Sequence, residues 1–289
     1  MSIADVYNVI FIHCFAYLQR LAAEFSSGGM EINMIFRDET ITDEIEEKAQ
    51  ILVDALPYIR DFNQKIVIVC FEGSNILTDE EEKVVMRDVA LLKTIGMRPI
   101  LVHDSRMGHD KFRENKLVAK MIEMSGVKAV GICGIDLQTI MLNVDNDYIP
   151  VITPNDIDNE DTPISPALCA AQVAEAVHAE KLIFLGGIDG IHDRKSSELI
   201  SQILLDDFIE MVKNDDQADV LLAERERYAI ELIQAGIPRV HFLDVKIRHS
   251  LLLELFSIIG VGTAILPDGG HYYPHEIRNG KLIAPAAQG

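Results

Sequence analysis

The chain has 289 residues, 48% of them hydrophobic, enough to bury one large core or two smaller ones. Its formal charge of −20 argues against nucleic acid and anionic membranes as partners, because both select clustered Lys and Arg. The four cysteines (Cys14, Cys70, Cys133 and Cys169) sit in apolar surroundings without a CxxC pair, which predicts reduced core thiols in a cytoplasmic protein. The N-terminus lacks basic residues ahead of its apolar run, so no signal peptide is expected. The most apolar run, residues 9–18, falls short of the ~20 residues of a membrane span.

Residues 4–25 are predicted to form a helix that is apolar on more than one face, through Val6, Val9, Ile10, Phe11, Phe15, Leu18 and Leu21. That surface must be covered by the chain's own fold or by another subunit. Ser26-Ser27-Gly28-Gly29 breaks the chain like a linker. A second helix starts near Thr42 or Asp43, with Ile45, Ala49, Leu52, Val53, Leu56 and Ile59 as its apolar stripe, and Pro57 kinks or ends it. Residues 65–77 then read as a buried strand, a turn at Gly73 and Ser74, and a helix start at Thr78 and Asp79. In α/β proteins this order presents backbone N–H groups to a phosphate. Here the turn carries one glycine, the carboxylate of Glu72 and no lysine.

Further helices are predicted from Asp79 to near Gly96, over residues 110–125, 165–178, 204–213 and 218–235, and from Ser250. They alternate with strands at residues 98–103, 127–133, 149–153, 181–185, 239–243 and 262–266. The alternation predicts a mainly parallel sheet covered on both faces. Residues 154–161 read as an acidic loop, residues 186–190 as a β-to-α turn, and the tail from His271 as a segment that leaves the compact fold. Cys70 reads as a buried thiol rather than a nucleophile. His103, Asp104, His109 and Asp110 fit no metal-ligand spacing, so no metal is expected. His178 and His241 read as satisfied core histidines.

Seven segments stand in an order that resembles the acetylglutamate kinases of the amino acid kinase family. They are EEKAQILVDALPYI, KIVIVCFEGS, DVALLKTIGMRPILVH, NKLVAKMIEMSGVKAVGICGID, ALCAAQVAEAVHAEKLIFLGGIDGI, YAIELIQAGIPRVHFLD and RHSLLLELFSIIGVGTAIL, and they span residues 46–266. The resemblance implies an α/β fold, a three-layer αβα sandwich with a mainly parallel central sheet. It also implies a substrate lobe at residues 30–163 and a nucleotide-side lobe at 164–270. A helix at 1–29 would serve oligomer contacts, and a tail would follow from 271 to 289. Family members pass the γ-phosphoryl of ATP to a side-chain carboxylate in arginine biosynthesis.

Phosphoryl transfer needs positive charge and N–H donors around the moving group. The resemblance places the family's first catalytic lysine on Cys70 and its glycine pair on Glu72 and Gly73. A second glycine turn falls on Asp104-Ser105-Arg106, and an Asn-x-Asp motif on Ser165-Pro166-Ala167. A Thr-Asp pair falls on Gly186 and Gly187, and the second lysine on Glu224. The lid region between His103 and Asn115 is shortened, with Arg106 and Arg113 as candidate substitutes for its carboxylate-gripping arginine. Catalytic positions Cys70, Ala167 and Glu224 therefore carry no catalytic group, while Gly73, Ser74, Asp104 and Ser105 are remnants of the substrate and phosphate loops. The expected protein is a catalytically silent homologue without a cofactor. The alternative is an active carboxylate kinase using ATP and magnesium.

The stretch HSLLLELFSIIGVGT at residues 249–263 keeps the family pattern. In arginine-sensitive members it helps form the effector site, which implies a site at His249, Ser250, Glu254, Gly260 and Gly262, with Glu254 taking a cationic group. The same residues also read as core and turn. The expected partners are an amino acid effector and further subunits, either copies of this chain (a dimer or a hexamer of dimers) or a genuine acetylglutamate kinase subunit.

Overall fold

Four consecutive β-branched residues, Ile66 to Val69, open strand β1 (Ile66–Phe71). Val67 through Phe71 are fully buried, as a strand covered on both faces must be. The chain then runs through α1 (Asp79–Thr94), β2 (Arg98–His103), α2 (Lys111–Glu123), β3 (Lys128–Cys133), α3 (Leu137–Asp145) and β4 (Tyr148–Thr153). It continues with α4 (Pro166–Ala176), β5 (Lys181–Gly186), β6 (Gln202–Leu204), α5 (Leu205–Lys213) and α6 (Val220–Gln234). β7 (Arg239–Asp244), α7 (Ser250–Phe256), β8 (Thr263–Leu266) and a two-stranded ribbon, β9 (Ile277–Arg278) with β10 (Lys281–Leu282), complete it. The computed structural model describes residue 50 and residues 53–155, 164–193, 196–213, 220–257, 260–278 and 281–282. Two compact units divide the chain, Met1–Asp54 and Ala55–Gly289, and the second carries the sheet. The predicted N-terminal helix, its linker, the start of the second helix, Cys14 and most of the acidic loop lie outside the described residues.

Eight strands form one sheet in the order β3-β4-β2-β1-β5-β7-β8-β6. Every neighbouring pair is parallel except β7 with β8. Alternate side chains divide the core into two layers. Ile68, Cys70, Ile100, Val102, Leu182 and Phe184 face α3, α4, α5 and α6. Val67, Val69, Phe71, Leu101, Ile183 and Leu185 face α1, α2, α7 and the helical residues 55–62. This is the expected three-layer sandwich.

The helix starts follow their capping residues. Thr78 and Glu81 form a reciprocal capping box at α1, and Asp110 caps α2 by accepting from Phe112 and Arg113 N–H. Ser165 caps α4, with Pro166 at the first helical position.

Several expectations are corrected. Helical structure continues past Pro57 to residue 62. Residues 186–190 are not a β-to-α turn: Gly186 ends β5, and the described residues that follow, pinned by a His192–Leu199 bridge, lead into β6 rather than a helix. α3 and β6 are additional elements. Cys133 is exposed, because β3 is an edge strand and its end points outward. His178 is exposed with φ of 49°, just beyond the end of α4. The tail does not leave the fold at His271, since Tyr273 and Glu276 are buried against it.

Candidate functional site

The strand order reverses at β1. The chain leaves β1 toward β2 on one side and later returns to β5 on the other. A crevice therefore opens past the carboxyl ends of β1, β2 and β5, where open α/β sheets take their ligands. Several of its backbone donors are already engaged. Ser74 N–H donates to Asp104 Oδ1 at 3.1 Å. Ile76 and Leu77 N–H both donate to the Gly73 carbonyl at 2.9 Å. Thr78 N–H donates to Glu81 Oε2 at 2.8 Å. Gly73 is required by packing, since a Cβ there would stand 2.5 Å from the Phe71 ring.

The cations of the crevice are engaged as well. Arg225, reaching down from α6, pairs with Glu72 at 2.7 Å, and the two side chains are 6% and 13% exposed. Its guanidinium lies 3.2 Å from where a Cβ of Gly186 would be, a tight approach that a larger residue would have to push back. Arg106 donates to Glu82 Oε2 at 2.7 Å and to the Ser74 carbonyl at 3.0 Å, and pairs with Asp79 at 2.8 Å. Burial raises the carboxyls of Glu72, Asp104 and Glu82 above their ordinary range, outweighing the arginines beside Glu72 and Glu82 and the Ser74 bonds to Asp104. Burial, with Glu72 adding, pushes the Cys70 thiol well above its usual value. Cys70 is a buried thiol among Ala167 and Cys169, as the sequence suggested. Glu224 accepts from Ser165 Oγ at 2.7 Å, which ties the position aligned with the second lysine to the first position of the Asn-x-Asp motif.

Beside this crevice lies a cleft of about 610 Å³, lined by His103, Asp104, Ser105, Lys111, Thr153 and Pro166 among others. His103 is buried at its floor. Nδ1 lies 2.7 Å from the Asp104 carbonyl and Nε2 lies 3.1 Å from Asn115 Nδ2, which makes Nδ1 the donor and Nε2 the acceptor. Burial lowers its pKa, so the ring is neutral. His109 instead pairs with Glu114 at 3.0 Å, and among the described residues no group of three or more His, Cys, Asp or Glu could hold a metal ion.

A second constellation sits at the opposite, amino ends of β5 and β7. Glu254, on α7, accepts from Val261 N–H at 2.9 Å and Gly262 N–H at 3.2 Å, and lies 2.8 Å from His241 Nδ1. Burial works against its charge, but His241 and these N–H groups hold its pKa below the ordinary value. Burial next to Lys181 brings His241 down to about 4. Lys181 is buried with Nζ 3.4 Å from His241 Nε2, and burial and Arg239 lower its pKa well below that of a free amine. A cavity of about 20 Å³ lies among Lys181, Arg239, His241, Glu254, Gly260 and Glu276. Gly262 must be glycine, because a Cβ there would meet the Phe242 carbonyl at 2.2 Å. Glu254, Gly260 and Gly262 are therefore brought together as expected. His249 is not with them: it pairs with Asp88 of α1 at 2.8 Å, and neither it nor Ser250 lines the cavity.

The amino acid kinase family matches residues 105–244. An acetylglutamate kinase of Campylobacter jejuni is 30% identical over 283 residues, covering 76% of this chain and 98% of that enzyme. The chain belongs to the amino acid kinase family. An acetylglutamate kinase of Caldicellulosiruptor saccharolyticus is 29% identical, covering 77% of this chain and 98% of that enzyme. Among solved structures, N-acetylglutamate synthase from Neisseria gonorrhoeae superposes with a TM-score of 0.64 at 20% identity, covering 75% of this chain. The chain spans 63% of that synthase. Giardia carbamate kinase superposes with a TM-score of 0.56 at 13% identity, covering 71% of this chain and 99% of the kinase. These likenesses show the amino acid kinase fold.

Sequence reasoning missed Lys181, Arg239 and Glu276 in this family member. The signal available was a cation as the first residue of two apolar strands, KLIFL and RVHFL, where charge is out of place.

Proposed function

We propose that this chain is an acetylglutamate kinase-like protein that binds ligand without transferring phosphate. It serves as a regulatory or assembly subunit that senses arginine or a related amino acid. The observation that carries the reading is that the chain's own carboxylates occupy the phosphate end of the site. Glu72 holds Arg225, Asp104 holds the Ser74 N–H, and Glu82 holds Arg106. Each engages a group that phosphoryl transfer needs available for the moving phosphate. Groups of this kind are worth about 3 kcal/mol each in the transition state, so losing several removes turnover.

The intact polar chemistry lies at the other end, where Glu254 is buried and held ionised. A buried carboxylate of this kind suits the cationic group of an amino acid. A protein of the same fold, the Neisseria gonorrhoeae synthase, has been solved with L-arginine, which makes arginine the first probe. The expected assembly is an oligomer of this chain or one with a genuine acetylglutamate kinase subunit, in the cytoplasm.

Calorimetric titration tests the reading. The expected result is no heat with ATP–Mg²⁺ and saturable heat with arginine. Heat with ATP, or ADP release on N-acetylglutamate at an ordinary enzyme's rate, returns the chain to the active kinases. Silence with both ligands leaves assembly as its role.

A further inference from the structure

Residues 271–278 form an arm against the amino ends of β5 and β7 that closes the Glu254 cavity. Its turn, Pro274–Glu276, delivers Glu276 to Arg239 in a two-pronged pair at 2.9 and 2.6 Å. The His271 carbonyl accepts from Arg239 Nε at 3.2 Å and from Nη2 at 2.6 Å. Among the described residues, every hydrogen-bond acceptor of the Arg239 side chain belongs to this arm. Tyr273 lies over Lys181 Nζ at 4.5 Å and edge-on to Phe62 at 4.9 Å. His275 is anchored to Asp61 at 2.8 Å.

The hold combines these polar bonds with one aromatic cluster, in which Tyr273 lies edge-on to Phe62 and the His275 ring lies 4.1 Å from that of Tyr58, while Ile277 is 46% exposed. The arm's ribbon, β9 with β10, makes no pairing with the main sheet. The arm can therefore leave without breaking the sheet, and the main cost is the Arg239–Glu276 pair, which a ligand carboxylate would restore. With the arm in place the cavity of about 20 Å³ has room for one water and not for an amino acid. With the arm displaced, the Arg239 guanidinium loses these partners and is open to a replacement carboxylate. An α-carboxylate offers the same planar pair of oxygens as the Glu276 side chain.

We propose that the C-terminal arm is a displaceable lid in which Glu276 occupies the place of a ligand carboxylate. An amino acid displaces it, setting its carboxylate on Arg239 and its cationic end toward Glu254. The ligand class rests on the effector reading above; the closure rests on the arm's own contacts.

Hydrogen exchange on the full chain, with and without saturating L-arginine, tests it. Arginine is expected to speed exchange of the Tyr273 and Glu276 amides, whose partners lie within the arm turn. Glu276→Gln weakens the hold on Arg239, so it is expected to bind arginine at least about fivefold tighter by calorimetry, the low end of ordinary coupling. Arginine binding with arm exchange unchanged overturns the lid and leaves the effector reading standing. Equal affinity of the variant and the wild type does the same. If the variant fails to fold, the exchange measurement on the wild type decides alone. If the wild type, Glu276→Gln and a chain ended after Asp268 all give no heat with arginine, the effector reading fails and the lid fails with it.

Discussion

Replacing Glu72 with alanine leaves the Arg225 guanidinium buried without its counter-charge. The pair is 2.7 Å apart, and Arg225 is 6% exposed, wedged against the backbone at Gly186. Among the described residues its Nε has no acceptor, and the ion pair shown for the head group is the one with Glu72. Breaking a buried pair from one side costs about 3–5 kcal/mol. Glu72 retains some exposure, which puts the expected loss near the lower figure, about 3 kcal/mol. Replacing both partners, Glu72→Ala with Arg225→Met, removes charge and penalty together and is expected to restore most of the stability. Urea unfolding followed by circular dichroism measures all three variants. A single-mutant loss under about 1 kcal/mol, or strictly additive losses in the double variant, would refute a desolvated pair closing the crevice. The pH dependence gives a second check. Burial raises the Glu72 carboxyl above the ordinary glutamate value of 4.5 despite Arg225, so the folded chain binds more protons than the unfolded one just above that pH. Stability from this group therefore falls as pH rises from 4.5 through its folded value. The gap between wild type and Glu72→Gln is expected to widen in the wild type's favour as pH falls through the same window.

His241 titrates at about 4 instead of 6.5, so the folded chain binds fewer protons there, and its stabilisation is lost as pH falls between those values. The full loss is about 3 kcal/mol; His241→Gln is expected to flatten that part of the stability curve, and NMR titration to show the ring neutral down to about pH 4. Gly131→Ala drives a methyl to within 1.9 Å of Asn115 Oδ1, an overpacking worth about 1–3 kcal/mol by thermal melt, and an unchanged melting temperature speaks against the placement of Asn115. Ser165→Ala removes both the α4 cap and the Glu224 bond, an expected loss of about 1–2 kcal/mol in urea, while Ser165→Thr retains most of it. Deleting residues 1–29 is expected to lower the oligomeric state by light scattering, and an unchanged number of subunits removes that segment from the subunit contact.

The layers of the fold were legible because strand and helix periods are written in local sequence. KIVIVCF and KLIFL are apolar without alternation, which only a strand buried on both faces explains. The capping residues Thr78, Asp110 and Ser165 marked the helix starts for the same local reason. β6 escaped because three residues, QIL, carry too little pattern, and α3 because its apolar residues follow a loop without a strong break. The crevice was legible in kind, since Glu72 and Asp104 stood where phosphate donors were sought. Their occupants were not. Arg225 lies more than a hundred residues from Glu72 in sequence, and Arg239 is joined to Glu276 only through the arm, so neither pair has a local signature. His249 misled for the converse reason, since proximity in sequence to Glu254 did not bring it to the same cavity.

The two ends of the sheet now carry opposite chemistry, and this supports a binding role more than any single substitution does. At the carboxyl ends of the strands, carboxylates engage Arg225, Arg106 and the Ser74 N–H, and the burial that raises Glu72 and Asp104 makes a second anion there costlier still. At the amino ends of the same strands, Glu254 is held ionised by two backbone N–H groups and His241, and Arg239 and Lys181 sit behind an arm. β5 and β7 run between both ends, with Gly186 at one limit and Lys181 and Arg239 at the other. A ligand that displaces the arm acts on the first residues of these strands, and the Arg225–Glu72 pair rests on the last residue of β5. Binding at the amino end is therefore expected to alter exchange of the Glu72 N–H, which donates to the Leu185 carbonyl at 2.9 Å.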